Sequence, residues 1–241
     1  MVDFPALKRA LDRGLMDQPD GSAVLDGGCG FRAEPTGEMD AVRMAMGPAG
    51  PALRVELRAE LRAATRDVHD RLHLHLGFAS IQDTTIGLAD YRNLVARLYG
   101  FYVPFEAAMA IEPDRSHWLA RDLEALGLEP PFHGVPKCEH VACPDNVHFR
   151  LGALYVAEGS ALGGRDLVRG LDGLFGKGAT QGRQFFIGRG AGTGAAWRHY
   201  LARLSASSPE PLARAEIIRG ATLTFAAFEQ WLNGWSTSSH G

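Results

Sequence analysis

The sequence predicts an all-α fold: a single-domain helical bundle. Apolar residues recur at steps of three and four in one segment after another, and almost no stretch alternates apolar and polar residues as a half-buried strand would. No unit repeats along the chain, which excludes a solenoid. The 241 residues, 46% hydrophobic and 22% charged, suit one water-exposed globular domain rather than a disordered or membrane-embedded chain.

Residues 1–51 read as a poorly ordered N-terminal extension. They are rich in Gly, Pro, Asp and Met, and only Leu7, Leu11 and Leu15 keep helical spacing. Met39, Met44 and Met46 leave open a natural start further along. The helical domain is expected over 52–236, with a short tail at 237–241. Its first helix shows a stripe of Leu57, Leu61, Ala64, Val68 and Leu72, with Gly77 as its stop. Asp90 caps a second helix carrying Leu94, Leu98, Phe101, Tyr102 and Phe105, in which Pro104 threatens a kink. A third runs from Ser116 to Gly127. Helical spacing returns over Gly152–Leu171 and Ala195–Leu204, and last at Ile218, Ala221, Phe225, Phe228 and Leu232.

Several function classes are excluded. A net charge of −3 and a pI near 6.3 argue against nucleic acid. No apolar run reaches the roughly 20 residues that span a bilayer, and the N-terminus lacks a secretory apolar core, so no membrane role and a cytoplasmic location are expected. Three cysteines, Cys29, Cys138 and Cys143, are too few for a disulfide framework. Phe185–Ala195 (FFIGRGAGTGA) imitates a dinucleotide loop through Gly190, Gly192 and Ala195, but the strands that motif needs are missing. Gly176 and Lys177 lack the earlier glycine of a phosphate loop. Cys138, His140, Cys143 and His148 do not have zinc-site spacing.

Two segments carry chemistry. In Leu151–Leu171, Gly152, Gly159, Gly163 and Gly170 fall on one side of a helix. Each interior glycine costs about 1 kcal/mol relative to alanine, so something must approach that backbone closely. Another helix would do so, and so would a flat ligand, with the Ser160 hydroxyl beside it. In Leu61–Leu76, His69 sits at the edge of the apolar stripe, with Arg62 two turns earlier and Arg66 three residues earlier. A lone helical histidine is usually structural. Beside two arginines it also suits a metal ligand, and their guanidinium forks pair with carboxylates.

Together, LRAATRDVH (61–69) and YVAEGSALGG (155–164) resemble the proximal and distal helices of the heme oxygenase family, bacterial type. The resemblance spans Leu53–Trp235 and includes LYGFY (98–102) and FAAFEQWL (225–232). It implies heme as substrate and cofactor, opened with O2 and external electrons to biliverdin, carbon monoxide and ferrous iron. His69 would be the iron ligand, and Gly159, Ser160 and Gly163 the catalytic, oxygen-facing set. Arg62, Arg66, Tyr102 and Arg198 would line the cofactor. A ferredoxin or flavoprotein reductase would supply electrons, and a phytochrome would be a possible acceptor of the bilin. Two departures from the family pattern stand out. Ser160 replaces an aspartate of mammalian-type members, and His73 replaces a carboxylate that receives the ligand's second ring proton; His73 would take that role as a neutral acceptor, or pass it to another group. A heme-binding or heme-sequestering protein without turnover is the alternative. A helical relative with another small substrate is the third reading.

Overall fold

The computed structural model describes residues 51–142, 146–207 and 210–236. The expected extension, apart from Pro51, the C-terminal tail, and Cys29 and Cys143 lie outside the described residues. Within them the chain forms α1 (Pro51–His73), α2 (Leu76–Gln82), α3 (Leu88–Met109), α4 (Asp114–Ala125), α5 (Val147–Gly170), α6 (Asp172–Phe175), α7 (Gln184–Ile187), α8 (Thr193–Ala206) and α9 (Pro211–Leu232). None of the described residues is in a strand, so the fold is all-α as predicted and the glycine loop before α8 has no dinucleotide-binding frame. No described helix is long and apolar enough to cross a membrane.

Local chemistry explains where several boundaries differ from expectation. α1 stops at His73, not Gly77. Gly77 instead lies buried inside α2, where its N–H donates at 3.2 Å to the ring of His75, the residue that caps the new helix. The inward stripe of α1 uses Thr65, with its hydroxyl bonded to the Leu61 carbonyl at 2.7 Å, while Ala64 is exposed. α3 is capped at Gly87 rather than Asp90, which sits in the first turn where a carboxylate complements the helix dipole. Pro104 stays within α3. It cannot donate to Gly100, and that freed carbonyl accepts the Cys138 N–H at 2.9 Å. A Cβ at Gly100 would overlap the Pro136 carbonyl, so glycine and proline together make the seat for this connecting segment. α4 starts two residues before Ser116, because the buried Glu106 carboxylate of α3 accepts the Arg115 and Ser116 N–H groups at 2.8 and 3.1 Å. Asn146 caps α5 in the same manner, through His148 and Phe149.

The last helix organises the domain. α9 packs along both α5 and α1. One apolar cluster joins Leu57 and Leu61 of α1 to Leu151 and Leu154 of α5, with Trp197, Tyr200 and Ile217. A second holds Leu72, Phe101, Tyr102, Phe105, Phe225 and Phe228. The connection after α5 folds around Arg183, which is 1% exposed and donates to the Ala179, Val168 and Gly176 carbonyls and to Asp172.

Asp122, fully buried on α4, accepts the Gln184 and Phe185 N–H groups on its two oxygens at 2.6 and 2.8 Å. Burial outweighs these bonds and pushes its carboxyl up to about 7. The fold therefore binds this proton more tightly than the unfolded chain does. The resulting stability is present below about pH 4, the ordinary carboxylate value, and is lost as pH rises through about 7. Asp122→Asn leaves one N–H facing an amide and is expected to cost about 1–3 kcal/mol. Denaturant unfolding should show a wider gap between wild type and variant at pH 4.5 than at pH 7.5. An equal gap at both would contradict the assignment.

Candidate functional site

His69 lies near the end of α1 with its side chain 31% exposed. Its ring meets Phe225 of α9 edge-on, with centroids 6.3 Å apart. Burial lowers the His69 pKa, the Asp70 carboxylate works against that shift, and Arg62 adds to it, so the imidazole is neutral at neutral pH. Its Nδ1 faces Asp70 at 3.7 Å, and its Nε2 lies 3.2 Å from His73 Nε2. Of the two roles considered for the second ring nitrogen, the nearby group is thus Asp70. His73 sits instead at the opposite nitrogen, and burial and His69 hold it down at about 4.

The cations on α1 divide by exposure. Arg62 is half-buried, and its charge bears on both His69 and Tyr155 of α5. Arg66 is exposed, as is Arg198 on α8. Arg58, one turn before Arg62, was not singled out from the sequence. Its Nη2 is buried without a hydrogen-bond partner among the described residues, and its charge also bears on Tyr155. Beside Tyr155, at 5.9 Å between ring centroids, Trp197 has a buried indole N–H that likewise lacks a partner. Buried donors are nearly always satisfied, so two of them near one tyrosine mark a place suited to an acceptor beyond the described residues.

The glycine row of α5 serves two purposes. A Cβ at Gly152 would overlap the Ile217 carbonyl of α9, and one at Gly170 would overlap the Ile81 carbonyl of α2, so both glycines are there for helix crossings. Gly163 is buried. Gly159 is different, because a Cβ there would meet only the Trp197 ring, at 4.0 Å. The adjacent Gly164 lies under the Phe186 carbonyl, which a Cβ would approach to 3.2 Å.

Ser160 follows Gly159 and reaches two partners. Its Oγ donates to the Ala157 carbonyl at 2.9 Å and lies 3.3 Å from the Tyr102 hydroxyl. With the serine proton engaged, Tyr102 is the donor of that second bond. Burial raises the Tyr102 pKa and keeps the phenol protonated. Tyr102 also touches Phe185 and Phe228, at 5.2 and 6.3 Å between centroids. Phe225 and Phe228, one turn apart on α9, therefore carry an aromatic wall from His69 to the Tyr102–Ser160 pair. Behind it, Glu158 accepts from the buried Arg115 at 2.8 Å and from Arg189 at 3.0 Å, and Arg189 continues to Asp114 at 3.1 Å.

The fold thus sets His69 against Phe225 and Tyr102 against Phe228, with Ser160 at the Tyr102 hydroxyl. Arg62 acts electrostatically on His69, Gly159 faces Trp197, and Arg66 and Arg198 remain at the surface. Arg58, Tyr155, Trp197 and the Glu158 ion pairs were missed. An arginine two turns and more before His69 on the same helix was the available signal for Arg58; the ion pairs join distant segments and left none. Cys138 is buried and forms no disulfide among the described residues.

No curated protein matches the sequence significantly. The heme oxygenase family model matches residues 55–234, from the first turns of α1 to just past α9 and across every element that builds the site. By that match the chain belongs to the heme oxygenase family.

Proposed function

We propose that this protein is a biliverdin-producing heme oxygenase, in which His69 would hold the heme iron. The observation that carries the reading is a neutral, half-buried imidazole preceded on its own helix by Arg62 and by Arg58, whose buried Nη2 has no partner among the described residues. Heme needs an imidazole nitrogen for iron, an apolar wall for its ring and cations for its carboxylates. His69, Phe225 with Phe228, and Arg58 with Arg62 offer these, and Trp197 Nε1 adds a neutral donor. Arg58 joins the cofactor-binding set in this reading, and Arg66 and Arg198 fall to rim positions.

Bound heme supplies redox-active iron and is itself the molecule oxidised by O2, with electrons from an external ferredoxin or flavoprotein reductase. The chain's own contributions are position and protons. Asp70 beside Nδ1 favours the tautomer that leaves the Nε2 lone pair for iron. Phe225 and Phe228 would pack against the bound ring, and Arg58 and Arg62 would pair with its carboxylates, so these residues would orient it. Gly159, where a Cβ would meet only the Trp197 ring, would leave room for a small diatomic molecule. Ser160 Oγ, held by Tyr102 and the Ala157 carbonyl, keeps an oxygen lone pair there to hold water and pass protons.

Anaerobic hemin titration, followed by O2 and a reductase with chromatography of the bilin, tests the proposal. A Soret band that decays to a biliverdin band is expected. A stable Soret band with no bilin would favour heme storage without turnover, and no Soret band would remove heme altogether. Tyr102→Phe deletes the donor that fixes Ser160 and is expected to slow bilin formation by about tenfold or more, a modest part of what a positioned proton donor supplies. Single-turnover absorbance reads this directly, and an unchanged rate would remove Tyr102 from proton delivery.

A further inference from the structure

His69 and His73 lie four residues apart on α1, so their rings project from the same face one turn apart. Their Nε2 atoms are 3.2 Å apart, and the rings stand at 72° with centroids separated by 4.3 Å. A hydrogen bond spans that distance, and so does a metal ion. Two metal–nitrogen bonds of about 2.0–2.1 Å place their nitrogens about 2.9 Å apart at a right angle and about 3.4 Å apart at the tetrahedral angle. The observed separation falls between the two. Both side chains are partly exposed, and Asp70 lies on the Nδ1 side of His69, where a carboxylate supports a ligand whose Nε2 faces the metal.

We propose that, in the heme-free chain, His69 and His73 chelate one divalent transition-metal ion, and that this ion and heme exclude each other. The ion replaces the proton shared between the two Nε2 atoms. No third histidine, cysteine or carboxylate completes a cluster among the described residues, so water fills the remaining positions. Two imidazoles favour copper, nickel or zinc over magnesium or calcium. Chelation follows from the geometry alone. Exclusion rests on the proposal that heme iron takes the same His69 nitrogen.

The probe is Cu2+, added to the full-length heme-free protein and followed by calorimetry and electron paramagnetic resonance. One ion per chain with two imidazole nitrogens is expected. His69→Gln and His73→Gln should each leave a single nitrogen and weaken binding about 100-fold, the usual loss when one arm of a two-point attachment is cut. Circular dichroism and thermal melting check that both variants fold. A copper signal unchanged in either variant would overturn the site. Hemin is then titrated into copper-loaded protein, where apparent affinity should drop at least about tenfold in wild type and not in His73→Gln. If copper keeps both nitrogens while hemin binds as it does without metal, exclusion fails and with it His69 as the iron ligand. If copper binding fails while hemin still binds through His69, only the metal site is lost.

Discussion

Replacing Gly152 with alanine is expected to be among the most destabilising single changes available to this fold. The new methyl group would overlap the Ile217 carbonyl and crowd the Ala221 nitrogen, and both are α9 backbone atoms that no rotamer change can move aside. α5 and α9 would have to separate at their closest crossing, where Gly220 presses in turn on the Phe149 carbonyl. Overpacking usually costs 1–3 kcal/mol and more when the obstacle is rigid, whereas the helix-propensity gain of alanine returns only about 1 kcal/mol. A net loss of about 3 kcal/mol is therefore expected in urea unfolding. Gly159→Ala provides the contrast. Its methyl would touch only the Trp197 ring at ordinary contact distance, so the propensity gain is expected to appear as a stabilisation of up to about 1 kcal/mol. The same methyl stands where the proposed heme and oxygen would lie and should lower bilin yield. Equal stability for Gly152→Ala and wild type, or equal damage from both substitutions, would show that the two glycines are not doing different things.

That contrast also shows how far the sequence could be read. Spacing placed Gly152, Gly159, Gly163 and Gly170 on one helix face, and the two explanations considered for them, a crossing helix and a flat ligand, could not be separated by periodicity. Both helix crossings occur, at Gly152 and Gly170, while Gly159 is left open; what divides them is where α9 and α2 cross α5, a tertiary fact absent from any local window. Helix content was legible because apolar stripes repeat with the helical period, and even the error at Ala64 shifted the stripe by only one residue, to Thr65. Charged residues were the blind spot. Arg183, Asp122 and Glu106 look like surface residues in sequence, yet each is buried and satisfies backbone groups from a neighbouring segment. Their partners lie outside the span that sequence patterns cover. Arg115 and Glu158 escaped notice for the same reason. His69, Ser160 and Tyr102 were singled out because flanking motifs marked them, and the structure brings two of them, Tyr102 and Ser160, into contact.

If His69 holds heme iron as proposed, His69→Ala is expected to cut bilin formation at least about 100-fold while leaving the protein folded. The ring is partly exposed and packs against Phe225 on one side, so its loss removes little of the core. Its chemical role is less replaceable. Removing even a group that merely orients a metal ligand lowers affinity or activity about 10–100-fold, and loss of the ligand itself should exceed that range. The complication is His73, whose Nε2 lies 3.2 Å from the deleted nitrogen and can reach toward the same iron. Hemin added to His69→Ala should therefore give a weakened and shifted Soret band rather than none, with bilin formation reduced at least about 100-fold because the substitute ligand holds the ring in the wrong place. His73→Ala alone should keep the wild-type spectrum, and only the double variant should lose nitrogen ligation completely. Electron paramagnetic resonance of the ferric complexes separates these cases. A wild-type spectrum and bilin yield from His69→Ala would require another residue to hold the iron, and the aromatic wall beside His69 would then need a different explanation.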